Sequence, residues 1–496
     1  RFFIKQKGIW IVLHNRVGEQ NLFKQLGRSS FILGLTAFFY ILSASSFADF
    51  RRNQTTAFQN YKEESDRTFS AYLKEGWEAY FSKKPVLAYE EPKPRELYQA
   101  KNIIVKDQGP HVNIKIKNKE VQPNEEYKML EIIVDKKDVS FDFYGTEVAL
   151  NIPQGLDKAK FYPQSKEGIS NYFQTIALSP YELLLTNIKN ISTDLNLNDW
   201  GKYMLIKKLS EKIFTTQDES RLLSWFLFNK LGYSVRVGLA NSHVVVMHYS
   251  EKTIYATPSY KVGSKKFYVV SDYAKRSAKK VFTYKQNYPG ADKPLDLRMD
   301  TLPTFVDKKM QKTLNFKQYG KNYTIKYNYN KNLIDFMSTY PQADYETFFN
   351  APLDASSYQD IAIELKKYIN TKQASVALNF VLNFVQNAFV YEVDSRQFGR
   401  EKVMFAEETL FYDKSDCEDR AVLFSNLVKE LFQITVVGVK YKDHMATALY
   451  IPMDGDSVHI NSKKFIVADP TYMNASIGQS MPKYRQVKPD NFIVLK

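Results

Sequence analysis

The heptapeptide Ser415-Asp-Cys-Glu-Asp-Arg-Ala421 contains the only cysteine of this 496-residue chain. Apolar residues follow it at three- and four-residue spacing, which predicts an amphipathic helix; they are Leu423, Phe424, Leu427, Val428 and Leu431. Since Ser415 or Asp416 is a favourable N-cap, Cys417 is expected in the first helical turn. The helix dipole and the free N–H groups there favour a thiolate and stabilise a developing oxyanion. The pattern predicts a reactive thiol, although a lone cysteine is also commonly a small buried apolar residue.

The stretch after this helix predicts a meander of strands that carries a histidine and an aspartate. His444 opens one strand, and Asp469 lies at the end of a later one. Ala446 and Ala448 are expected on the same face as His444, where small side chains leave room for packing against the cysteine helix. Cys417, His444 and Asp469 follow one another at intervals of 27 and 25 residues. Their order is that of a nucleophile, a base and an orienting carboxylate.

These three motifs resemble those of the transglutaminase-like superfamily of cysteine enzymes. The resemblance covers roughly residues 346–480, with a degenerate echo at 167–270. It implies a papain-like α+β core, with Cys417 as nucleophile, His444 as general base and then acid, and Asp469 as the residue that orients the imidazole. The superfamily includes protein cross-linkers, peptidases and amidases. The implied reaction is therefore thiol-dependent acyl transfer on peptide or amide bonds.

Four further residues are candidates for binding the oxyanion or the substrate: Gln386, Tyr412, Tyr391 and Arg400. Tyr391 and Arg400 lie in the charged and aromatic segment 391–402, which is as consistent with a plain surface loop as with a wall of the cleft. Asp419 and Arg420 are expected to form an ion pair or to stabilise the fold rather than take part in the chemistry. No cofactor is expected. A metal site is not expected either, because neither a second cysteine nor a close histidine is present.

The order of patterns repeats within the chain, which predicts a tandem duplication. Phe141-Asp-Phe-Tyr-Gly145 is echoed by Phe316-Lys-Gln-Tyr-Gly320 at an offset of about 175 residues, and the offset becomes about 200 between Phe389 and Cys417. The second copy is therefore expected to contain an extra loop that leads into the cysteine helix. Chance similarity between short apolar runs is the alternative.

The first copy lacks the predicted chemistry. Gln217 and Thr257 stand where the second copy has Cys417 and Asp469, and His243 persists alone. We expect His243 to be a structural relic. The first copy is then expected to keep the fold and to serve as a docking or substrate-presenting lobe.

The predicted fold class is α+β, with two lobes that each combine a β-rich module and a transglutaminase-like module. The predicted divisions are a signal peptide or N-terminal anchor (1–48), an amphipathic helix and linker (49–100), a β-rich module (101–166), a degenerate transglutaminase-like domain (167–285), a second β-rich module (286–345) and a catalytic transglutaminase-like domain (346–496). Within them, a helix is predicted over 60–84, strands over 127–152 and helices over 167–214.

The N-terminal residues have the pattern of an export signal. Lys24 and Arg28 precede the apolar run 31–42, and Ser46-Phe47-Ala48 has small residues at its first and third positions. A charged region, an apolar run and a small-x-small site in this order are typical of a cleaved secretory signal. We therefore expect a periplasmic or extracellular protein. The alternatives are an uncleaved membrane anchor, since the run extended to residue 48 approaches a spanning length, and a buried apolar helix.

The composition is that of a globular protein, with 44% hydrophobic and 25% charged residues. A single cysteine excludes an intrachain disulfide framework and zinc sites built on several thiolates. The net charge of +15 suits an anionic surface such as a cell wall or a membrane. The basic residues are scattered, so nucleic acid is not an expected partner.

The expected function is that of an exported cysteine peptidase or amidase whose substrate is a peptide, a protein or a cell-wall peptide. A protein cross-linking transglutaminase is the nearest alternative, since the sequence does not distinguish water from an amine as acceptor. A non-catalytic binding scaffold of the cell envelope is the alternative of another class, because the first copy indicates that the fold tolerates loss of the triad. Peripheral association with the membrane or envelope is left open.

Overall fold

The computed structural model describes residues 3–6, 9–12, 60–101, 103–116, 138–270 and 279–495. The chain divides after Ser65 into two compact units. In the first unit, β1 (Phe3–Gln6) pairs antiparallel with β2 (Ile9–Val12). The second unit contains helices and mostly antiparallel sheets, so the predicted α+β class is confirmed.

The first half of the second unit contains a β-hairpin, helices and a six-stranded sheet, and it begins with the end of a helix that reaches residue 72. Its elements are β3 (Glu78–Phe81), β4 (Val139–Phe143), β5 (Thr146–Leu150), a 3₁₀ turn (Leu156–Lys158), α1 (Lys166–Ala177), α2 (Glu182–Asp194), α3 (Asp199–Ile213), α4 (Gln217–Lys230), β6 (Val235–Ala240), β7 (His243–Tyr249), β8 (Ser259–Val262), β9 (Lys265–Tyr268) and β10 (Lys280–Thr283). The strands β4 and β5 form the hairpin. The sheet has the order β3-β10-β6-β7-β9-β8, with antiparallel neighbours.

The second half contains a longer hairpin, a set of helices and a five-stranded sheet. Its elements are β11 (Lys309–Gln318), β12 (Lys321–Asn330), α5 (Lys331–Met337), α6 (Tyr345–Asn350), α7 (Ala355–Ile369), α8 (Ala374–Asn387), β13 (Val390–Tyr391), α9 (Asp394–Gln397), α10 (Ala406–Phe411), β14 (Lys414–Ser415), α11 (Cys417–Phe432), β15 (Val436–Lys440), β16 (Met445–Leu449), β17 (Ser457–Ile460), β18 (Lys463–Ala468) and β19 (Asn491–Val494). The antiparallel sheet has the order β17-β18-β16-β15-β19.

A long segment separates α8 from the cysteine helix α11. Residues 388–416, here called the insert segment, carry β13, α9, α10 and β14. In the first half only residues 214–216 separate α3 from α4. The insert segment thus lies where the change of offset predicts extra residues. Its strands β13 and β14 pair in parallel, which joins its two ends.

The two larger sheets share part of their strand order. In the first half the order β10-β6-β7-β9-β8 follows helix α4, and in the second half the order β19-β15-β16-β18-β17 follows helix α11. This order shows that the predicted match between Thr257 and Asp469 is wrong. Asp469 follows β18, and β18 has the same place in its sheet as β9, which is followed by Val269. A short Ala-x-Pro motif carries no information on strand register, so it led to the wrong match.

Helix α11 packs against one face of the second sheet. Met445 and Leu449 belong to the same core as the apolar stripe of α11. Ala446 and Ala448 lie in a separate cluster with Tyr441. The expectation that these alanines pack against the cysteine helix is therefore wrong. His444 precedes β16, so the alternation of side chains along the strand does not determine which way its ring points.

The helix predicted over 60–84 is wrong beyond residue 72. The chain is helical over residues 60–72, after which Gly76 adopts a φ of +60°. This left-handed backbone favours glycine and cannot continue a helix. The following residues form β3, which pairs with β10. The predicted strands around β4 and β5 and the helices α1, α2 and α3 are confirmed.

Some predicted features lie outside the described residues. These are the strand expected over 127–134, the apolar run 31–42 and the small-x-small site at residues 46–48. Among the residues that the structure describes, none of the helices has the length and apolar character that a membrane span requires.

Candidate active site

The cysteine lies where its sequence context predicts. Cys417 is the first residue of α11, and Asp416 is the N-cap. Asp416 and Asp419 form a capping box, in which the Asp416 N–H donates to Asp419 Oδ2 at 3.2 Å. Asp419 Oδ1 also accepts the N–H of Met404 at 2.8 Å, so Asp419 serves the fold as expected. The Cys417 side chain is fully buried.

The histidine and the aspartate are brought together. His444 Nε2 lies 2.9 Å from Asp469 Oδ2, and both side chains are buried. The other oxygen, Asp469 Oδ1, accepts the N–H groups of Thr471 at 2.9 Å and Tyr472 at 3.2 Å. His444 Nδ1 is buried and has no hydrogen-bond partner among the described residues. The geometry assigns the proton to Nε2 and leaves Nδ1 as an unoccupied base.

Aromatic rings fix the plane of this imidazole. The ring of Tyr484 stacks on His444 with centroids 4.8 Å apart, and Tyr441 lies parallel at 6.3 Å. Tyr484 donates its hydroxyl to Asp443 Oδ1 at 2.9 Å, which anchors the stack. The rings and the Asp469 hydrogen bond together restrict the imidazole to one orientation.

In the described part of the chain, the Cys417 thiol does not form a hydrogen bond with His444. Cys417 Sγ donates to Glu418 Oε2 at 3.1 Å, and the Tyr89 hydroxyl lies 3.9 Å from the sulfur. Burial raises the pKa of the thiol well above its usual value, and the carboxylates of Glu418 and Asp416 raise it further. The expected lowering of the thiol pKa is therefore wrong for this conformation. Desolvation and nearby negative charge outweigh the helix dipole.

A buried lysine from the distant residues before β4 lies beside the thiol. The Lys93 ammonium contacts Asp416 at 2.5 Å, Glu418 at 2.7 Å, Asp394 at 3.1 Å and Glu401 at 2.5 Å. These four carboxylates are here called the acidic pocket. Asp394 and Glu401 belong to the insert segment, whereas Asp416 and Glu418 flank Cys417.

The groups of the acidic pocket differ in pKa and therefore in charge at neutral pH. Burial lowers the pKa of Lys93, but Asp416 and Glu418 more than offset this and raise it well above its usual value. Burial raises the pKa of Glu418, yet Lys93 outweighs this effect and lowers it to about 2. Burial raises the pKa of Asp394 to about 6 and that of Glu401 to about 8. The groups next to the thiol that are charged at neutral pH are therefore the Lys93 ammonium and the carboxylates of Glu418 and Asp394.

Two sets of carboxylates have ligand atoms within 4.8 Å of one another, as a metal ion requires: Asp394, Asp416 and Asp419, and Asp394, Glu401 and Glu418. The Lys93 ammonium already contacts members of both sets. A cation at either place would have to compete with Lys93.

The four other predicted site residues have different fates. Gln386 Nε2 donates to the carbonyls of three residues, including Asp469 at 3.0 Å, so its amide group holds the loop that carries the aspartate. Tyr391 donates its hydroxyl to the Pro94 carbonyl at 2.6 Å. Burial raises the pKa of Tyr391, and a negative charge on Cys417 raises it further. Tyr412 and Arg400 make no contact with the thiol within the described part of the chain. Tyr412 packs on aromatic rings of the insert segment, and Arg400 is exposed and bonds a backbone carbonyl.

Arg420 is fully buried and stabilises the fold, as expected. Its guanidinium donates to the carbonyls of Gln386 at 3.1 Å and Phe389 at 2.8 Å and to Ser415 Oγ at 3.1 Å. These bonds connect helix α8, the start of the insert segment and the turn before Cys417. The guanidinium thus fixes the backbone from which the thiol projects.

The corresponding place in the first half carries different side chains. Gln217 is the first residue of α4, as Cys417 is of α11. His243 is exposed at the start of β7, and its Nδ1 lies 3.1 Å from Asp218 Oδ2. This is a local surface contact without a nucleophile.

Three residues of the site, Tyr89, Lys93 and Glu418, were not predicted from the sequence. The prolines at 92 and 94 and the paired glutamates before them are typical of a linker, so residues 90–94 were expected to connect two elements. A lysine between two prolines is a weak signal, because only the fold shows that its partners lie some 300 residues further along the chain.

No family model matches this chain, and no curated protein or solved structure shows significant similarity to it. Its chemistry is therefore inferred from the side chains of the site. These are a buried thiol at a helix start, an imidazole oriented by a carboxylate, and a lysine held in an acidic pocket.

Proposed function

We propose that this chain is a transglutaminase-like cysteine enzyme that transfers acyl groups from peptide or amide bonds, with water as the acceptor. The observation that carries the proposal is the orientation of His444. Its Nε2 bonds Asp469 Oδ2 at 2.9 Å, whereas its buried Nδ1 has no partner among the described residues. Because a carboxylate holds Nε2, the unpaired Nδ1 is in the state that a general base requires.

In the proposed first step, His444 Nδ1 takes the proton of the Cys417 thiol as the sulfur attacks the carbonyl carbon of the substrate. A C–S bond forms, and the carbonyl oxygen becomes an oxyanion. The N–H groups in the first turn of α11 are suited to stabilise it. Asp469 stabilises the imidazolium that forms and keeps its orientation.

In the second step, the imidazolium gives its proton to the leaving nitrogen, the C–N bond breaks, and an amine or ammonia departs. A thioester on Cys417 remains. Water then attacks the thioester carbonyl and loses a proton to His444. The thiolate leaves, recovers that proton, and releases a carboxylic acid.

A non-catalytic scaffold remains the second candidate, because one observation favours it. The thiol is fully buried, and burial together with nearby carboxylates raises its pKa well above the usual value. Such a cysteine reacts slowly unless the site opens. The two candidates differ in what His444 does, since a scaffold has no use for a base.

The test is acylation of Cys417 by p-nitrophenyl acetate, located by mass spectrometry of the digested protein. We expect the parent protein to form a thioester at Cys417 and the His444→Ala variant to form it at least about 100-fold more slowly, as is typical for loss of a general base. Cys417→Ala controls for labelling elsewhere. Equal rates in the parent and the His444→Ala variant would favour the scaffold. Release of the acyl group to a fluorescent primary amine rather than to water would indicate cross-linking.

We also propose that the two halves of the second unit arose by duplication. The shared strand order and the equivalent starts of α4 and α11 support this. The first half lacks an insert segment and so lacks the wall that bears part of the acidic pocket. Gln217→Cys with Val269→Asp should therefore restore no acylation in a Cys417→Ala protein. Recovery of acylation would show that the first half can form a complete site.

Export is proposed on the N-terminal pattern alone. Lys24, Arg28, the run 31–42 and the small residues at 46 and 48 support a cleaved signal. The mature protein should begin at or near Asp49 and fractionate outside the cytoplasm. N-terminal sequencing of the native protein tests this, and a cytosolic chain that retains residues 20–48 would contradict it.

A further inference from the structure

A short stretch of chain crosses the site directly over the thiol. Residues 88–94, here called the crossing segment, are held through their backbone. The carbonyl of Ala88 accepts the hydroxyl of Tyr345 at 3.3 Å, and that of Pro94 accepts the hydroxyl of Tyr391 at 2.6 Å. The N–H groups of residues 90 and 91 both donate to the Lys442 carbonyl at 3.2 Å. The crossing segment is thus bound by polar contacts at both ends and in the middle, as an extended peptide ligand is.

The middle of the crossing segment forms its backbone hydrogen bonds close to His444, the proposed base. Lys442 lies two residues before His444, and its carbonyl holds the backbone of the crossing segment on that side. Tyr391, on the other side, bonds the Pro94 carbonyl and pairs with Ser415, two residues before Cys417. The crossing segment therefore runs between the histidine side and the insert segment. A peptide substrate must bind in the same place to present its carbonyl to Cys417.

Tyr89 fills the space in front of the sulfur. Its hydroxyl lies 3.9 Å from Cys417 Sγ, and its ring is buried against Tyr345 with centroids 6.1 Å apart. A reacting carbonyl carbon must come within about 3–3.5 Å of the sulfur. The Tyr89 side chain and a substrate therefore cannot occupy the site together.

Lys93 fills a pocket that has more carboxyl groups than one ammonium needs. Four carboxylates contact it, and the Oδ1 atoms of Asp394 and Asp416 are buried without a hydrogen-bond partner among the described residues. Burying several carboxylates beside one another is costly, so a fold gains nothing from this arrangement alone. The two unpartnered oxygens and the bound Lys93 ammonium are typical of a site that binds a cationic group.

We propose that the crossing segment occupies the substrate cleft as an intramolecular inhibitor, and that the acidic pocket which holds the Lys93 ammonium is the subsite for a cationic side chain of the substrate. This inference rests on the proposed function, since it assumes that the cleft receives a substrate. The segment must leave before the substrate binds, which lowers the apparent affinity in proportion to the fraction of open molecules. A cavity of about 270 Å³ borders the crossing segment on the side of Gln342 and Tyr255, so the segment is not enclosed by a sealed core.

The test compares the rates at which Cys417 reacts with a cationic and an anionic methanethiosulfonate reagent. In the parent protein both rates should be low. In Lys93→Met both should rise at least about tenfold, and the cationic reagent should react at least about tenfold faster than the anionic one, because the acidic pocket is then open. Lys84→Met, which replaces an exposed lysine four residues before the crossing segment, is the matched control and should behave as the parent does.

A second variant separates the two parts of the proposal. Tyr89→Ala uncovers the thiol but leaves Lys93 in place, so labelling should accelerate without preference for either charge. A synthetic peptide of residues 88–94 should slow the labelling of Lys93→Met, whereas the same peptide with norleucine in place of the lysine should not. Circular dichroism shows whether each variant is folded. Should Lys93→Met fail to fold, the labelling of Tyr89→Ala decides whether the segment inhibits.

Unchanged labelling of both folded variants would overturn the proposal, and so would a Lys93→Met thiol without charge preference. None of these measurements requires turnover. If Lys93→Met becomes reactive and selective for cations but forms no acyl intermediate, the proposed function fails while the occupied cleft stands. If the parent protein hydrolyses amides at full rate without displacement of the segment, the inhibitor is wrong while the proposed function stands.

Discussion

The replacement of Asp469 by asparagine tests the proposed role of the histidine most directly, because it changes one atom next to the imidazole. Asp469 Oδ1 accepts two backbone N–H groups, from Thr471 and Tyr472, and Oδ2 faces His444 Nε2. In Asp469→Asn, the amide oxygen must stay at the Oδ1 position to keep both backbone hydrogen bonds. The amide NH₂ then faces Nε2.

The structure gives the size of this orientational preference. The reversed amide would lose two backbone hydrogen bonds of about 1 kcal/mol each, which corresponds to about a 30-fold preference. With an NH₂ donor opposite it, Nε2 of His444 must accept, and the proton moves to Nδ1. An imidazole in this tautomer cannot take the thiol proton. Loss of the correct tautomer costs about 10⁴-fold in turnover in a serine protease triad of this kind.

The assay is the acylation of Cys417 by p-nitrophenyl acetate, followed through release of nitrophenolate. We expect Asp469→Asn to react about 10²- to 10⁴-fold more slowly than the parent. Nitrogen-15 NMR of the histidines, with His444→Gln for assignment, should show the proton on Nε2 in the parent and on Nδ1 in the variant. The crossing segment is present in the parent and in Asp469→Asn. Its inhibition therefore lowers both acylation rates equally and does not affect their ratio.

Asp456→Asn is the matched control. Asp456 also accepts a backbone N–H, that of Ser480 at 2.9 Å, but it contacts Arg485 instead of an imidazole. Its replacement should leave the acylation rate within about threefold of the parent, in line with the small effect of a surface ion pair. An Asp469→Asn protein that reacts as fast as Asp456→Asn would refute the proposed role of His444. So would an unchanged tautomer in Asp469→Asn.

Three further predictions concern stability, and denaturation curves test them all. Burial, with Asp354 nearby, raises the pKa of Glu407 from 4.5 to about 8, so the folded state holds a proton that the unfolded state releases. The contribution of Glu407 to the free energy of unfolding is present below pH 4.5, and about 4 kcal/mol of it is lost as the pH rises to about 8. Glu407→Gln should remove this loss. The same dependence of stability on pH in the parent and in Glu407→Gln would contradict the prediction. In Gly438→Ala the new Cβ would lie 2.9 Å from the ring of Phe349, so we expect a loss of about 1–3 kcal/mol, and an unchanged melting temperature would be the contrary result. Arg420→Lys leaves at least one buried acceptor unsatisfied and should cost about 3 kcal/mol, whereas a cost near zero would show that water replaces the guanidinium.

The sequence by itself determined the local geometry of the catalytic candidates. The N-cap Asp416 and the apolar stripe after it place Cys417 at a helix start, because capping and periodicity are properties of adjacent residues. Alternation and turn residues likewise predict His444 at the start of one strand and Asp469 at the end of another, each within one residue of the observed strand end. The α+β class follows from the same local patterns.

Features that depend on which strands become neighbours needed the tertiary structure. The tripeptide match that paired Thr257 with Asp469 failed, since a short motif does not specify strand order. The alternation that assigned Ala446 and Ala448 to the face of the cysteine helix failed as well, because His444 lies outside the strand. Sheet order and sheet faces are set by packing between elements that are distant in sequence.

The state of the thiol was decided by the tertiary structure alone. A helix start favours a thiolate by about 1 kcal/mol, and this contribution is visible in the sequence. Tyr89 and Lys93 reach Cys417 and Glu418 across separations of more than 300 residues, and no periodicity connects them. Burial under the crossing segment, together with the carboxylates of Glu418 and Asp416, raises the pKa of the Cys417 thiol instead of lowering it. The physical reason is that desolvation and Coulomb interactions depend on distance in space, whereas sequence patterns record only neighbours along the chain.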